Sequence, residues 1–274
     1  MIDEHGISIR CSCRSTSISR SCYYHESAPD RSSEIIDVLR KLVEIYPRWG
    51  FRKLYDKVRL EGYIWNHKRV WRIYRNLGLH LRRYFKKHLP KRKKHPVEAP
   101  SSPNECWGMD FVSDNLATGK RFRVLNIIDE FNREALEIEV DTSISAQRVV
   151  RTLENIAQWR GYPGSLRSDN GPEFISATMQ EWAVKHQVEL KFIQPGKPSQ
   201  NPFTERFNGT FRFEFLNPEL FDKLDSVREL SSQWKIQYNE QRPHQSLNGL
   251  TPELVLRNYK KKLSLLQGGT NSGG

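Results

Sequence analysis

The sequence predicts an α/β protein: a five-stranded mixed sheet flanked by helices, preceded by a small all-α domain that carries most of the positive charge. Three observations support this. Residues 31–98 hold 20 lysines and arginines against 6 aspartates and glutamates, while the segments on either side are nearly neutral, so the net charge of +12 belongs to one region. Apolar residues recur at helical spacing before residue 80 and at strand spacing after residue 105. A proline-rich, strongly cationic stretch separates the two regimes. The length of 274 residues suits about two domains, and seven tryptophans with 37% apolar content argue against wholesale disorder.

Residues 1–30 form an N-terminal extension, and residues 31–80 read as three short helices. Ser33 can cap a first helix in which Ile35, Ile36, Leu39, Leu42, Val43 and Tyr46 recur at helical spacing. GFRKLYDKVRLEG reads as a second helix, ending at Gly62; Asn66 can cap a third, HKRVWRIYRNLG, ending at Gly78. Three basic helices in succession suggest a helix-turn-helix DNA-binding domain. In the third, Lys68, Arg69, Arg72 and Arg75 surround Val70, Ile73 and Tyr74, as in a helix with phosphates on one side and a core on the other. A solvated charged face is the plainer account, but the concentrated charge and interleaved tryptophans favour nucleic acid. Residues 81–104, LRRYFKKHLPKRKKHPVEAPSSPN, contain four prolines and repelling cations, which predicts an extended basic linker.

The catalytic part is expected over residues 105–216. CWGMDFV reads as a strand with Trp107, Met109 and Phe111 on one face and Asp110 on the other, and a carboxylate there is costly unless paired or metal-bound. FRVLNIID follows across a turn with Thr118 and Gly119, and LEIEV has Leu136, Ile138 and Val140 inward. From Ser145 a helix carries Val149, Val150, Leu153, Ile156 and Ala157 on one stripe until Gly161 and Pro163 stop it. SLRS is a fourth strand ending at Asp169, where Asn170, Gly171 and Pro172 turn the chain. ATMQEWAVKHQ is a helix and ELKFI a fifth strand; Asn201 caps a last helix with Pro202 at its first position, running through Glu205 to about Leu216. This order matches the ribonuclease H type of fold, in which the first strand lies beside the fourth. Asp110 and Asp169 then converge, with Glu205 leaning over them. Residues 217–259 form a C-terminal helical part with Val227, Leu230, Trp234 and Tyr238 as a core stripe, and residues 260–274 a flexible tail.

Asp110, Asp169 and Glu205, with 35 residues between the last two, resemble the D, D-35-E triad of retroviral integrases and bacterial transposases. RSDNGPEF, PGKPSQNPFTERFNGTFRFEFLN and YNEQRPHQSLNGLTPELV closely resemble the open-reading-frame-B transposases of the IS-three insertion-sequence family. YPRWGFRKLYDKVRLEGYIWNHKRV resembles the helix-turn-helix stretch that precedes their core, so the similarity covers about residues 16 to 257. The resemblance implies metal-dependent DNA cleavage and strand transfer at the ends of an insertion sequence. Asp110, Asp169 and Glu205 would be both the catalytic residues and the ligands of two Mg²⁺ or Mn²⁺ ions. Arg212, seven residues after Glu205, and Lys197 before the helix would contact DNA. The implied partners are terminal repeats and target DNA, a first-frame protein or frameshift fusion, and further copies of the chain in the active complex. Asp114, Asp129, Glu130 and Glu173 are expected to cap turns or pair with arginine instead.

Several classes are disfavoured. No apolar run approaches the ~20 residues that cross a bilayer, and the start lacks a secretory signal, so a cytoplasmic, nucleoid-associated bacterial protein without membrane contact is expected. Cys11, Cys13, Cys22 and Cys106 form no CxxC and are expected to be reduced and non-ligating. Pro202 stands where many relatives have a small residue, although a first helical turn tolerates proline. The absence of a leucine heptad segment points to a partner for end recognition. Two alternatives stand beside the transposase reading: a catalytically silent DNA-binding relative, which the intact triad opposes, and a ribonuclease H-like nuclease, which the basic N-terminal domain opposes.

Overall fold

The computed structural model describes residues 6–25, 32–81, 99–194 and 200–268. Lys197, most of the expected linker and the last six residues lie outside them. Two short helices come first, α1 (Ile9–Ser15) and α2 (Arg20–Tyr23), capped by the hydroxyls of Ser8 and Ser19.

The basic domain is built by α3 (Ser33–Ile45), α4 (Phe51–Leu60) and α5 (His67–Asn76). Asn66 caps α5, its Oδ1 accepting from Lys68 N at 2.9 Å, as the sequence indicates. Ser33 instead lies inside α3; Ser32 holds the cap position and makes no capping hydrogen bond through its side chain. Ile35, Leu39, Leu42, Leu54, Val58, Val70 and Ile73 close one core, and Tyr46 stacks on Trp49 with ring centroids 3.8 Å apart. Burying these faces leaves the cations of α5 on the outer side.

The sheet comprises β1 (Cys106–Asn115), β2 (Arg121–Asp129), β3 (Ala135–Asp141), β4 (Ser165–Ser168) and β5 (Glu189–Phe192), in the order β3-β2-β1-β4-β5. The first three strands are antiparallel, while β4 runs parallel to β1 and to β5. Helices α6 (Ala146–Arg160) and α7 (Ala177–Lys185) cover one face through Leu153, Ile156, Met179 and Trp182 on Trp107, Met109 and Ile127. Helices α8 (Pro202–Phe211) and α9 (Leu224–Glu240) cover the other through Phe207, Phe211, Trp234 and Tyr238 on Val112, Val124 and Val140. Covering both faces explains why β2 is buried continuously from Val124 to Asp129.

Four local expectations are corrected. Leu136, Ile138 and Val140 are all buried, but a bulge opposite Ile127 and Ile128 sends Leu136 to the α6–α7 side and the other two to the α8–α9 side. On α9 the inward position between Val227 and Trp234 belongs to Ser231, fully buried, while Leu230 is exposed. The helix expected to reach Leu216 is α-helical only to Phe211, then widens into a π turn over Arg212–Leu216. Residues 260–268, expected in a flexible tail, continue α10 (Pro252–Gly268), whose charged and polar residues favour helix without needing a core. Among the described residues no helix is long and apolar enough to cross a membrane.

The two domains meet on one buried carboxylate. Glu214, in the π turn, accepts from Trp49 Nε1 (3.3 Å) and Lys53 Nζ of the basic domain, and from Arg242 Nε and Nη2 (both 2.9 Å) beyond α9. Burial alone would raise its pKa, but Arg242 and Lys53 outweigh that and hold the carboxyl below the usual range.

Candidate active site

Strand register brings the two aspartates together. Gly108 of β1 pairs with Arg167 of β4 in parallel, so continuing β1 by two residues to Asp110, and β4 past its end at Ser168 to Asp169, carries both aspartates toward the same end of the two strands. Asp110 lies on the face that α8 covers, and the packing there is close: a Cβ on Gly108 would sit 2.2 Å from Thr204 Oγ1. Only glycine lets α8 approach β1 this far, and that approach carries Glu205, the next residue after Thr204, toward the aspartates.

Asp110 is oriented on both oxygens. Oδ1 accepts from Phe111 N and Oδ2 from Asn208 Nδ2, each at 2.8 Å. Asn208 is itself held by buried Asn126, which donates Nδ2–H to its Oδ1 at 2.7 Å. A relay of two amides therefore runs from β2 through α8 to Asp110. Burial foremost, with the charges of Asp169 and Glu205 adding to it, pushes the Asp110 carboxyl up to about 6. Asp169 Oδ1 accepts from Gly171 N at 3.0 Å, so the turn after β4 fixes the carboxylate that ends the strand. Glu205 is exposed and makes no side-chain hydrogen bond or ion pair among the described residues; its desolvation raises its pKa. Among those residues no three His, Cys, Asp or Glu side chains are gathered closely enough to hold one metal ion. Glu205 thus belongs to the group by charge rather than by contact.

The other carboxylates behave differently, and in each case an arginine is the reason. Asp114 meets Arg212, Asp129 meets Arg160, Glu130 meets Arg167 and Glu173 meets Arg123. Asp110, Asp169 and Glu205 carry no ion pair among the described residues. Arg167 also reaches Gln200 O (3.2 Å), tying the strand that ends at Asp169 to the entry of α8. Asn201, expected to cap α8, makes no capping bond; its buried Oδ1 has no partner, and neither have the neighbouring Thr204 Oγ1 and Glu130 Oε2.

The expected DNA contacts are dispersed. Lys68, Arg72 and Arg75 are exposed on α5, with Arg69 half-buried beside them. Arg212 donates to Ser113 O at 2.8 Å and lies 3.5 Å from Asp114, an exposed pair of the kind that contributes little. Sequence reasoning missed Asn208, Asn126, Arg167 and the Glu214 cluster. Arg167, Asn208, Glu214 and Arg242 all lie within the blocks that resemble the family, but the resemblance assigned them no chemistry, and Asn126 carried no signal.

Comparison with known proteins places the chain among integrase-core and insertion-element proteins. Two models of an integrase core domain match residues 100–198 and 186–252, and a model of an HTH-like domain matches residues 30–88. The insertion element IS407 31.7 kDa protein of Burkholderia multivorans is 42% identical over 251 residues, 91% of each chain. The insertion element IS476 39.2 kDa protein of Xanthomonas euvesicatoria is 38% identical, over 95% of this chain and 75% of its own. InsK, a candidate transposase for insertion sequence element IS150 of Escherichia coli, is 26% identical over 87% of this chain and 90% of its own. Among solved structures, the HTLV-2 integrase catalytic core domain in complex with magnesium has a TM-score of 0.44 at 17% identity, covering 56% of this chain and 95% of that one.

Proposed function

As a member of the IS-three family of insertion-sequence transposases the chain is a DNA polynucleotidyl transferase, and we propose that it cuts and joins strands at the ends of its element through Asp110, Asp169 and Glu205. The observation that carries this reading is the contrast in pairing. Four nearby carboxylates each have an arginine, and these three have none. Unpaired like charges on two interior strands and the helix over them are unfavourable alone and favourable around a cation.

The donor set fits Mg²⁺ or Mn²⁺, since hard divalent ions take carboxylate oxygens and keep waters. Bound by these residues, two such ions would supply Lewis acidity at both the entering and the leaving oxygen of an in-line phosphoryl displacement. The chain's own part is positioning. Asn208 and Phe111 N hold the Asp110 carboxylate, Gly171 N holds that of Asp169, and Gly108 admits the helix that presents Glu205. Water attacks the scissile phosphorus and the P–O3′ bond breaks, leaving a 3′ hydroxyl on the element; that hydroxyl then attacks a target phosphorus and displaces the target strand's 3′ oxygen, so no covalent protein–DNA intermediate is required.

In the same reading α5 holds the DNA backbone, and Arg212 exchanges its weak contact with Asp114 for a phosphate near the carboxylates. Lys197 has the same role. The domain limits of residues 31–80, 81–104, 105–216 and 217–259 belong to this proposal, as do terminal repeats, target DNA, a first-frame partner and further copies of the chain. The test is Mg²⁺-dependent cleavage and joining of labelled terminal duplexes by Asp110→Asn, Asp169→Asn and Glu205→Gln. Each should lose both reactions while DNA affinity stays largely intact. Joining by any one of them removes that residue from the triad, and a wild-type chain that binds DNA without ever cutting it favours the silent relative.

A further inference from the structure

A cleft of about 1250 Å³ lies between the basic domain and α8, with Glu205 on its lining. It exceeds the ~300–1,000 Å³ of a small-ligand pocket. One wall presents Trp71 and Arg52, the other Phe213 and Arg206; Arg133 also lines it. Trp71 is 38% and Phe213 42% exposed, so large flat rings stay open to the space although their domains have cores to bury them. Arg48 lies 5.3 Å from the Phe213 centroid.

Arg133 is the unusual member. Its backbone takes φ +63°, its guanidinium lies 3.5 Å over the Phe203 ring, and its buried Nη1 has no hydrogen-bond partner. A buried charged donor left unpaired is costly, and native chains rarely tolerate one without a ligand to receive it. Arg52 and Arg206 likewise form no ion pair among the described residues. Glu214, by contrast, is already saturated by Lys53 and Arg242. The cleft therefore offers three arginines outside any ion pair among the described residues and two partly exposed rings, the combination that binds a single nucleic-acid strand by phosphate contact and base stacking.

We propose that this cleft is a subsite for unpaired DNA: it takes a short run of one strand beside the scissile phosphate, with a phosphate on Arg133 and bases against Trp71 and Phe213. The inference rests on the strand-transfer reading, because Glu205 joins the cleft to the proposed catalytic carboxylates. The strand that leaves the carboxylates would enter it on melting from its complement, so opened ends are the preferred substrate.

The test uses the full chain and needs no turnover. Fluorescence anisotropy with a labelled eight-thymidine oligonucleotide, and separately with a duplex, compares wild type with Arg133→Gln and Phe213→Ala. Loss of a stacked base or of its phosphate contact should weaken oligonucleotide binding by roughly five- to hundredfold, with duplex binding unchanged. Phe213 is surface-exposed, so its variant keeps the test decisive should Arg133→Gln fold poorly. Photo-crosslinking of 4-thiothymidine oligonucleotide should label peptides carrying Trp71 or Phe213. Oligonucleotide affinity indifferent to Phe213→Ala, parallel loss of duplex affinity, or crosslinks only outside the cleft would each overturn the proposal. Binding at the cleft by a protein that never cuts DNA would instead count against the strand-transfer reading alone.

Discussion

Replacing Glu214 with glutamine removes the charge on which both domains converge. Arg242, with a side chain 9% exposed, is then left buried beside a neutral amide, while Lys53, at 27%, can turn toward water. Removing one partner of a buried pair costs ~3–5 kcal/mol, and the partial freedom of Lys53 favours the lower end, about 3. For a chain of this size that is a fall in Tm of about 6–12 °C. The sign of the pH dependence follows from the depressed carboxyl of Glu214. Its contribution is full above the unfolded value, ~4.3, and is lost as pH falls through the folded one, so variant and wild type should converge in acid. Circular-dichroism melts at pH 7 and in acid well below the unfolded value measure both effects. Lys53→Met should cost clearly less than Glu214→Gln, because Arg242 still holds the carboxylate through two nitrogens. Equal melting of Glu214→Gln and wild type at pH 7, or a larger loss in Lys53→Met, would refute the argument.

Asn208→Ala should raise the Mg²⁺ concentration for half-maximal cleavage ~10–100-fold, the usual effect of freeing a ligand from the group that orients it, and metal titration of the cleavage rate would reveal an unchanged requirement. His244, pushed down to about 2 by burial first and then by Arg242, is neutral in the fold but protonates near 6.5 once unfolded. Stability should therefore fall below pH 6.5 by ~1.4 kcal/mol per unit, and His244→Gln should flatten that part of the decline in paired melts. Lys68→Ala, Arg72→Ala and Arg75→Ala combined should make the slope of log K against log salt shallower by up to ~2.7 if each meets one phosphate. An unchanged slope in duplex-binding titrations would move the backbone contact off α5.

The sheet was legible because strands and turns leave local patterns. Strand periodicity set β1 and β4, the turn formers after Asp169 ended β4, and the spacing to Glu205 singled out three carboxylates among many. The errors share a different cause. Leu136 is displaced by a bulge that depends on its pairing with β2, and Ser231 replaces Leu230 because the sheet surface selects the helix face. Asn201 has the residue type of a cap, yet it turns its oxygen inward beside Thr204. The Glu214 cluster joins positions 161 and 165 residues apart, and no periodicity within either segment announces such a pairing.

The pairing contrast also indicates why the proposed site can be so plain. Asp114, Asp129, Glu130 and Glu173 each meet an arginine, while Asp110, Asp169 and Glu205 meet none among the described residues. The charges of Asp169 and Glu205 disfavour ionisation of Asp110, adding to the larger effect of its burial. The fold spends part of its stability holding Asp110 and Asp169 in that repulsion, and Asn208 and Gly171 offset some of it by donating to them. Neighbouring arginines are diverted: Arg167 to Glu130 and Gln200, Arg123 to Glu173, Arg212 to Asp114 and Ser113. A guanidinium swung onto Asp110 would relieve the strain and block a cation, so the salt bridges around the triad act to keep it vacant of protein charge. On that account the arginine partners matter to the proposed catalysis by staying where they are, and Arg52, Arg133 and Arg206, which form no ion pair among the described residues, are the ones proposed to meet DNA.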